Sequence, residues 1–156
     1  MDEELIAIGT VIAAISATPL FAWTTEQEKS LKLWGNTLQA TGNGLTADDI
    51  DTSSIGQVAS VLSSSGNITV IAGIFNENNR KIRTIQGNQL QALGASIALS
   101  EGVEKNELTL IIGNGLQAIG NALQAEGARL SKDDWTLLGS WIQAAGATLI
   151  AVEAYE

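Results

Sequence analysis

The sequence contains no cysteine and no histidine. The first absence removes disulfides and thiolate chemistry. The second removes the commonest general base and the commonest transition-metal ligand. Basic residues are scarce: eight Lys and Arg stand against 17 Asp and Glu, a net charge of −9. That leaves no footprint for a phosphate backbone, so nucleic acid is not an expected partner. One proline and few aromatics, beside abundant Ala, Leu, Ile, Gln and Gly, indicate an all-α chain. At 156 residues it is long enough for one domain, 1–156, with a core of its own.

Charge is also missing locally. Uncharged runs cover 5–25, 33–47, 52–76, 84–100, 108–125 and 135–152. The first could suggest a secretory signal, but Asp2, Glu3 and Glu4 precede it where such signals carry Lys or Arg. The run is interrupted by Pro19, and Gly9 lies in register with later repeats.

What the chain does have is a repeat. LIIGNGLQAIGNALQAEGA (110–128) returns as WGNTLQATGNGL (34–45), QGNQLQALGASI (86–97) and LGSWIQAAGATL (138–149). Gly9, Gly35, Gly87, Gly113 and Gly139 are 26, 52, 26 and 26 residues apart, and a divergent unit fills the gap around 59–67. Six units of about 26 residues therefore span the chain, each with room for one helix and a loop. Expected helices lie near 3–17, 26–47, 52–75, 78–100, 103–130 and 132–154. Gly102 is read as closing the fourth and Glu104 as opening the fifth. Thr25 with Glu28, and Ser131 with Asp134, resemble capping boxes. Short loops make successive helices antiparallel, in a closed bundle or, alternatively, a short three-hairpin solenoid.

With the first glycine of each unit at heptad position a, twelve of the sixteen glycines fall in that column. Glycine costs about 1 kcal/mol relative to Ala inside a helix, so a regular column implies close backbone approach. The seven-residue spacing favours shallow, left-handed crossings. Candidate packing residues are Gly35, Gly42, Gly66, Gly87, Gly94, Gly113, Gly120, Gly139 and Gly146. Ile and Leu occupy position d, and large apolar residues recur at g. Positions e and b form an amide stripe: Asn36, Gln39, Asn43, Asn67, Asn88, Gln91, Asn114, Gln117, Asn121 and Gln143, with Ala13 and Ser63 as departures. A row of amides can form a hydrogen-bonded ladder that sets register between helices or between molecules.

Acidic clusters at helix starts fit helix-dipole complementation, and Asp48-Asp49-x-Asp51 lacks the loop and closing Glu of a calcium hand. No catalytic residue, metal ligand or cofactor is expected. The reading is a non-enzymatic, cytoplasmic scaffold that associates with itself or another protein through its neutral glycine and amide sides. A membrane-active or pore-forming protein, membrane-associated, is the alternative, and a small adaptor the second. Against the membrane stand runs of mostly 15–18 residues, ~23–27 Å at ~1.5 Å per residue beneath a ~30 Å core, and segments such as 33–47 with two Asn, one Gln and three Thr. The connecting segments also lack the Lys/Arg asymmetry that sets membrane orientation.

The phrases Gly35-Asn36-Thr37-Leu38-Gln39-Ala40-Thr41-Gly42-Asn43 and Gly113-Asn114-Gly115-Leu116-Gln117-Ala118-Ile119-Gly120-Asn121 resemble the GNxLQAxGN repeats of an uncharacterised family from Bacillus-like Gram-positive bacteria. That resemblance implies a bacterial origin and brings no mechanism and no site.

Overall fold

A computed structural model describes residues 1–154; the last two residues of the expected 1–156 domain lie outside it. Six helices follow in order: α1 Asp2–Ser16, α2 Thr25–Asp48, α3 Ser54–Ile74, α4 Arg80–Lys105, α5 Leu108–Leu130 and α6 Asp133–Glu153, with no strand among the described residues. Short turns of 3₁₀-helix at Pro19–Phe21 and Glu77–Asn79 sit in two of the connections. Each helix packs on its sequence neighbours, and α1 packs on α6. The six helices therefore close into a ring, and the open solenoid alternative does not apply. At the closing seam Ile6 and Ala7 meet Ala147 and Ala151. Beside it the Trp141 indole donates to Thr18 Oγ1 at 3.1 Å.

The ring is assembled from three hairpins, α1–α2, α3–α4 and α5–α6. Within each hairpin glycine meets glycine. A Cβ placed on Gly9 would stand 2.6 Å from the Gly35 carbonyl oxygen, and one on Gly35 2.8 Å from that of Gly9. Gly66 and Gly87 repeat this at 2.6 Å in both directions. Gly120 and Gly139 do so at 2.6 and 2.5 Å, and Gly113 and Gly146 form a second pair on the same hairpin. Gly42 abuts the Asp2 carbonyl and Gly94 the Ala59 carbonyl, each with only 2.6 Å to spare for a side chain. All nine glycines singled out in the sequence thus face a neighbouring helix of the same chain. Equivalent hairpins are offset by 52 residues, so the structural unit is two sequence repeats.

Helix ends differ from expectation at three points. Gly102 does not end α4 but lies buried in its last turn, where a Cβ would stand 3.0 Å from the Ile111 nitrogen and the Leu110 side chain. Asn106 instead ends that helix in the left-handed region (φ 56°), and α5 starts after Glu107. The capping box of α2 is Thr24 with Gln27, one residue earlier than predicted. Ser131 adopts φ 55° as the C-cap of α5 and makes no N-terminal cap for α6. Ser53 does cap α3, accepting from the Gly56 amide at 3.0 Å.

A large side chain at a glycine contact should open the hairpin. Gly120→Leu, whose Cβ would begin 2.6 Å from two backbone atoms of α6, should lose roughly 1–3 kcal/mol or more. Gly44→Ala, with nothing within 4 Å, should gain up to about 1 kcal/mol from helix propensity. Chemical denaturation followed by circular dichroism checks both; equal stability of Gly120→Leu and wild type would refute the close-contact account.

Candidate functional site: an amide-lined lumen

The burial pattern is inverted relative to a water-soluble bundle. Among the described residues no Leu, Phe or Trp is buried, and the buried apolar side chains are mostly Ala. Equally numerous are buried polar residues, including Asn36, Gln39, Asn67, Asn88, Gln91, Asn114, Asn121 and Gln143. Asn43 and Gln117 of the amide stripe are half-buried. Large apolar residues face outward instead: Ile8, Trp34, Val58, Ile112 and Leu138 of position g are all exposed. Neither the glycine column nor the amide stripe lies on the outer surface, contrary to the expectation that those sides meet another molecule.

The amides do not form the expected ladder. Asn36, Asn43 and Asn67 each donate to the carbonyl four residues earlier on their own helix, to Lys32, Gln39 and Ser63, at 2.8–3.0 Å. The inter-helix bonds of the amide side chains come from glutamine. Gln143 Nε2 donates to Gln39 Oε1 at 3.0 Å and to Gln91 Oε1 at 3.3 Å, while Gln143 Oε1 accepts from Gln124 Nε2 at 2.8 Å. Gln39, Gln91 and Gln143 are spaced by 52 residues and stand on α2, α4 and α6, every second stave of the ring. They converge on the axis as a pseudo-threefold cluster. At this level α1, α3 and α5 present Ala13, Val70 and Gln124, whose backbones face Gly35, Gly87 and Gly139; Ser63 lies two turns away, opposite Gly94. In the sequence Ala13 and Ser63 stand out as departures from the stripe, but Gln117 on α5 breaks any alternation and Gln124 lies outside the stripe, so neither marked a central cluster.

On either side of the cluster the ring encloses a cavity, one of about 300 Å³ and one of about 150 Å³. All six helices contribute to the wall of each, and the glutamine triad belongs to both walls. The larger reaches exposed Asp49, Asp51 and Lys105 at one end of the barrel; the smaller reaches exposed Thr25 and Arg80 at the other. The lumen is thus two vestibules meeting at one constriction. Asn121, in the wall of the larger vestibule, buries a side-chain carbonyl oxygen with no hydrogen-bond partner, as does Asn67 on α3. Buried acceptors of this kind call for a donor.

Antiparallel staves place alternate connections at opposite ends, and charge divides between them. The end formed by the α1–α2, α3–α4 and α5–α6 connections carries Lys29, Lys32, Arg80, Lys81, Arg83, Arg129 and Lys132, seven of the eight basic residues. All four Trp fall in the half of the ring nearest that end, and Lys132 lies over the Trp135 ring at 4.7 Å. The opposite end carries Lys105 alone against Asp2, Glu3, Glu4, Asp48, Asp49, Asp51, Glu101, Glu104, Glu107 and Glu153. The chain therefore has a Lys/Arg asymmetry after all, visible once the loops are sorted by end.

Glu3 lies outside the uncharged waist, in the wall of the acidic mouth. Burial, reinforced by Asp2, pushes its carboxyl from the ordinary 4.5 up to about 7. Between those values the folded protein holds a proton that the unfolded chain has lost, so this group's contribution falls as pH rises through the window. Glu3→Gln, which stays neutral, should be more stable than wild type at pH 8, and the gap should close near pH 4.5. Unfolding midpoints of both proteins at the two pH values provide the check.

A family model described as a family of unknown function (DUF6944) matches residues 3–151. No curated protein and no solved structure matches the chain.

Proposed function

We propose, for a chain that belongs to DUF6944 and takes no activity from that family of unknown function, a non-enzymatic helical barrel embedded in a membrane. The observation that carries this reading is the inversion of the ring: amides and Ala inside beside Ile6, Val70, Ile74 and Ile150, with no Leu or Trp buried among the described residues and large apolar side chains exposed outside. The apolar exterior is not confined to one face. It includes Ile8 on α1, Trp34 on α2, Ile68 on α3, Leu93 on α4, Ile119 on α5 and Trp141 on α6. A protein partner would cover one side, whereas lipid contacts the whole perimeter.

Two helices, α3 and α6, are long and apolar enough to cross a membrane by length and composition. For the others, hydropathy averages a lipid-facing arc with a lumen-facing one, so the Asn and Gln of the inner arc lower the score without meeting lipid; Gln86 and Gln89 of α4 are exposed and depart from this. Inserting as hairpins with the amides turned inward removes the cost of exposing polar groups to hydrocarbon. Trp23 and Trp135, with the basic residues at that end, fit an interfacial belt and the positive-inside rule, which would set that end in the cytoplasm. A second reading, lateral assembly in solution, draws on α4, whose outer face also carries exposed Gln86, Gln89 and Ser96.

The absence of cysteine gives a clean labelling background. Purified protein mixed with lipid vesicles should float with them and resist carbonate extraction; recovery in the aqueous fraction, as monomer or oligomer, would refute the membrane reading. In bacterial cells expressing the chain, Asp51→Cys should react with an impermeant thiol reagent from outside. Asn78→Cys, at the basic end, should react only after lysis.

A further inference from the structure

Resting on the membrane reading above, we infer that the lumen is a permeation path for small uncharged hydrogen-bonding solutes, water and short polyols, and that the glutamine cluster is its gate. Three features of the wall specify that class. First, the constriction is built from primary amides, each offering both donors and an acceptor. Such groups replace the hydrogen bonds that a hydroxyl-bearing solute leaves behind in water. The partnerless Asn121 oxygen in the larger vestibule adds an acceptor to that path.

Second, the constriction offers an ion little. Among the described residues no carboxylate or cationic group lies between the mouths: charges are held at the acidic end by residues such as Glu3 and Glu101, and at the other by Glu28, Lys29, Lys32 and Arg80. The mouths differ in sign balance, so neither anions nor cations meet a uniformly favourable potential from one side to the other. At the waist an ion would lose hydration without a charged partner.

Third, the closure is made by a hub. Gln143 alone bonds Gln39, Gln91 and Gln124, through both ends of its amide. Its backbone contacts belong to the α5–α6 hairpin, where Gly120 abuts the Gln143 nitrogen. The helix is therefore positioned by glycine packing while the side chain alone spans the axis. Shortening that side chain should join the two vestibules without dismantling the ring. Gln39 and Gln91, each holding one bond to the hub, should contribute smaller parts of the same barrier.

The experiment is stopped-flow swelling and shrinkage of vesicles in which flotation has already demonstrated insertion, with water, glycerol and potassium as separate probes. Gln143→Ala should raise water and glycerol permeability at least tenfold over wild type and over empty vesicles, with potassium leak unchanged. Gln143→Leu, similar in size but unable to hydrogen-bond, should lie at or below wild type. Gln39→Ala should give a smaller increase than Gln143→Ala, and serves as the second variant should Gln143→Ala fail to fold. No increase in either alanine variant after demonstrated insertion would overturn the path while leaving the membrane reading intact. An increase in potassium leak equal to that of glycerol would overturn the solute class. Failure at the flotation step would overturn the membrane reading and the path with it.

Discussion

The contact on which the rest of the molecule depends is backbone against backbone at paired glycines. Where Gly66 faces Gly87 and Gly120 faces Gly139 there is no space for a Cβ, let alone a leucine. Helices this close leave no apolar layer between them. Ala fills what remains of the contact, as Ala14, Ala59 and Ala144 do, all nearly fully buried. The large side chains that would ordinarily make a core are displaced to the rim and outer face. In a closed ring each stave has two neighbours, an inner arc and an outer arc. Once the lateral contacts are reserved for glycine and alanine, only those two arcs remain for everything else.

The inner arc then sets its own constraint. Six helices in a ring cannot meet at the axis, so side chains must line or bridge a central space. Asparagine is too short to cross it and satisfies its amide donor on its own helix, as Asn36, Asn43 and Asn67 do. Glutamine has one more methylene and reaches its counterparts. Three glutamines are brought together at the axis by α2, α4 and α6, with Gln124 of α5 bonded to the hub and the short Ala13 facing the space on α1. The pseudo-threefold cluster is thus a packing solution as well as a hydrogen-bonded one. Its hub is satisfied at both ends, and this favours a single arrangement of the triad over a disordered set of rotamers.

The six helices, their order and their antiparallel sense could be read from the 26-residue period, because glycine spacing inside uncharged stretches is a strong positional signal. Boundaries failed where one residue type serves two roles. Gly102 looked like a helix stop because glycine often is one, but its missing side chain serves the approach of α5 at Leu110 and Ile111. The amide stripe was visible as a column; its direction was not. Heptad lettering says which residues share a face, and says nothing about which face points at the axis. In a bundle with a leucine core, position d would face inward, and the sequence alone offers no reason to reverse that. The reversal follows from ring closure, a long-range contact between α1 and α6 that no local pattern encodes.

The distribution of charge shows the same dependence on topology. Along the chain, basic residues occur at 29, 32, 80, 81, 83, 105, 129 and 132, spread over four separate regions. Antiparallel order sends the first, second and fourth of those regions to one end and Lys105 to the other. A per-segment hydropathy score has a related blind spot, because it averages over the helix circumference. On α2, Trp34 at 62% exposure and Gln39 at 3% fall within the same two turns yet face media that need not be alike. A barrel that carries exposed large apolar side chains on every stave, amides on its inner arc and charges at its rims has its polarity ordered radially and axially at once. Water alone does not require that order, since a soluble bundle gains from charge on its sides. The membrane setting proposed above would account for it, since a low-dielectric layer of limited thickness favours apolar side chains across its depth, polar groups turned inward and charge beyond its faces.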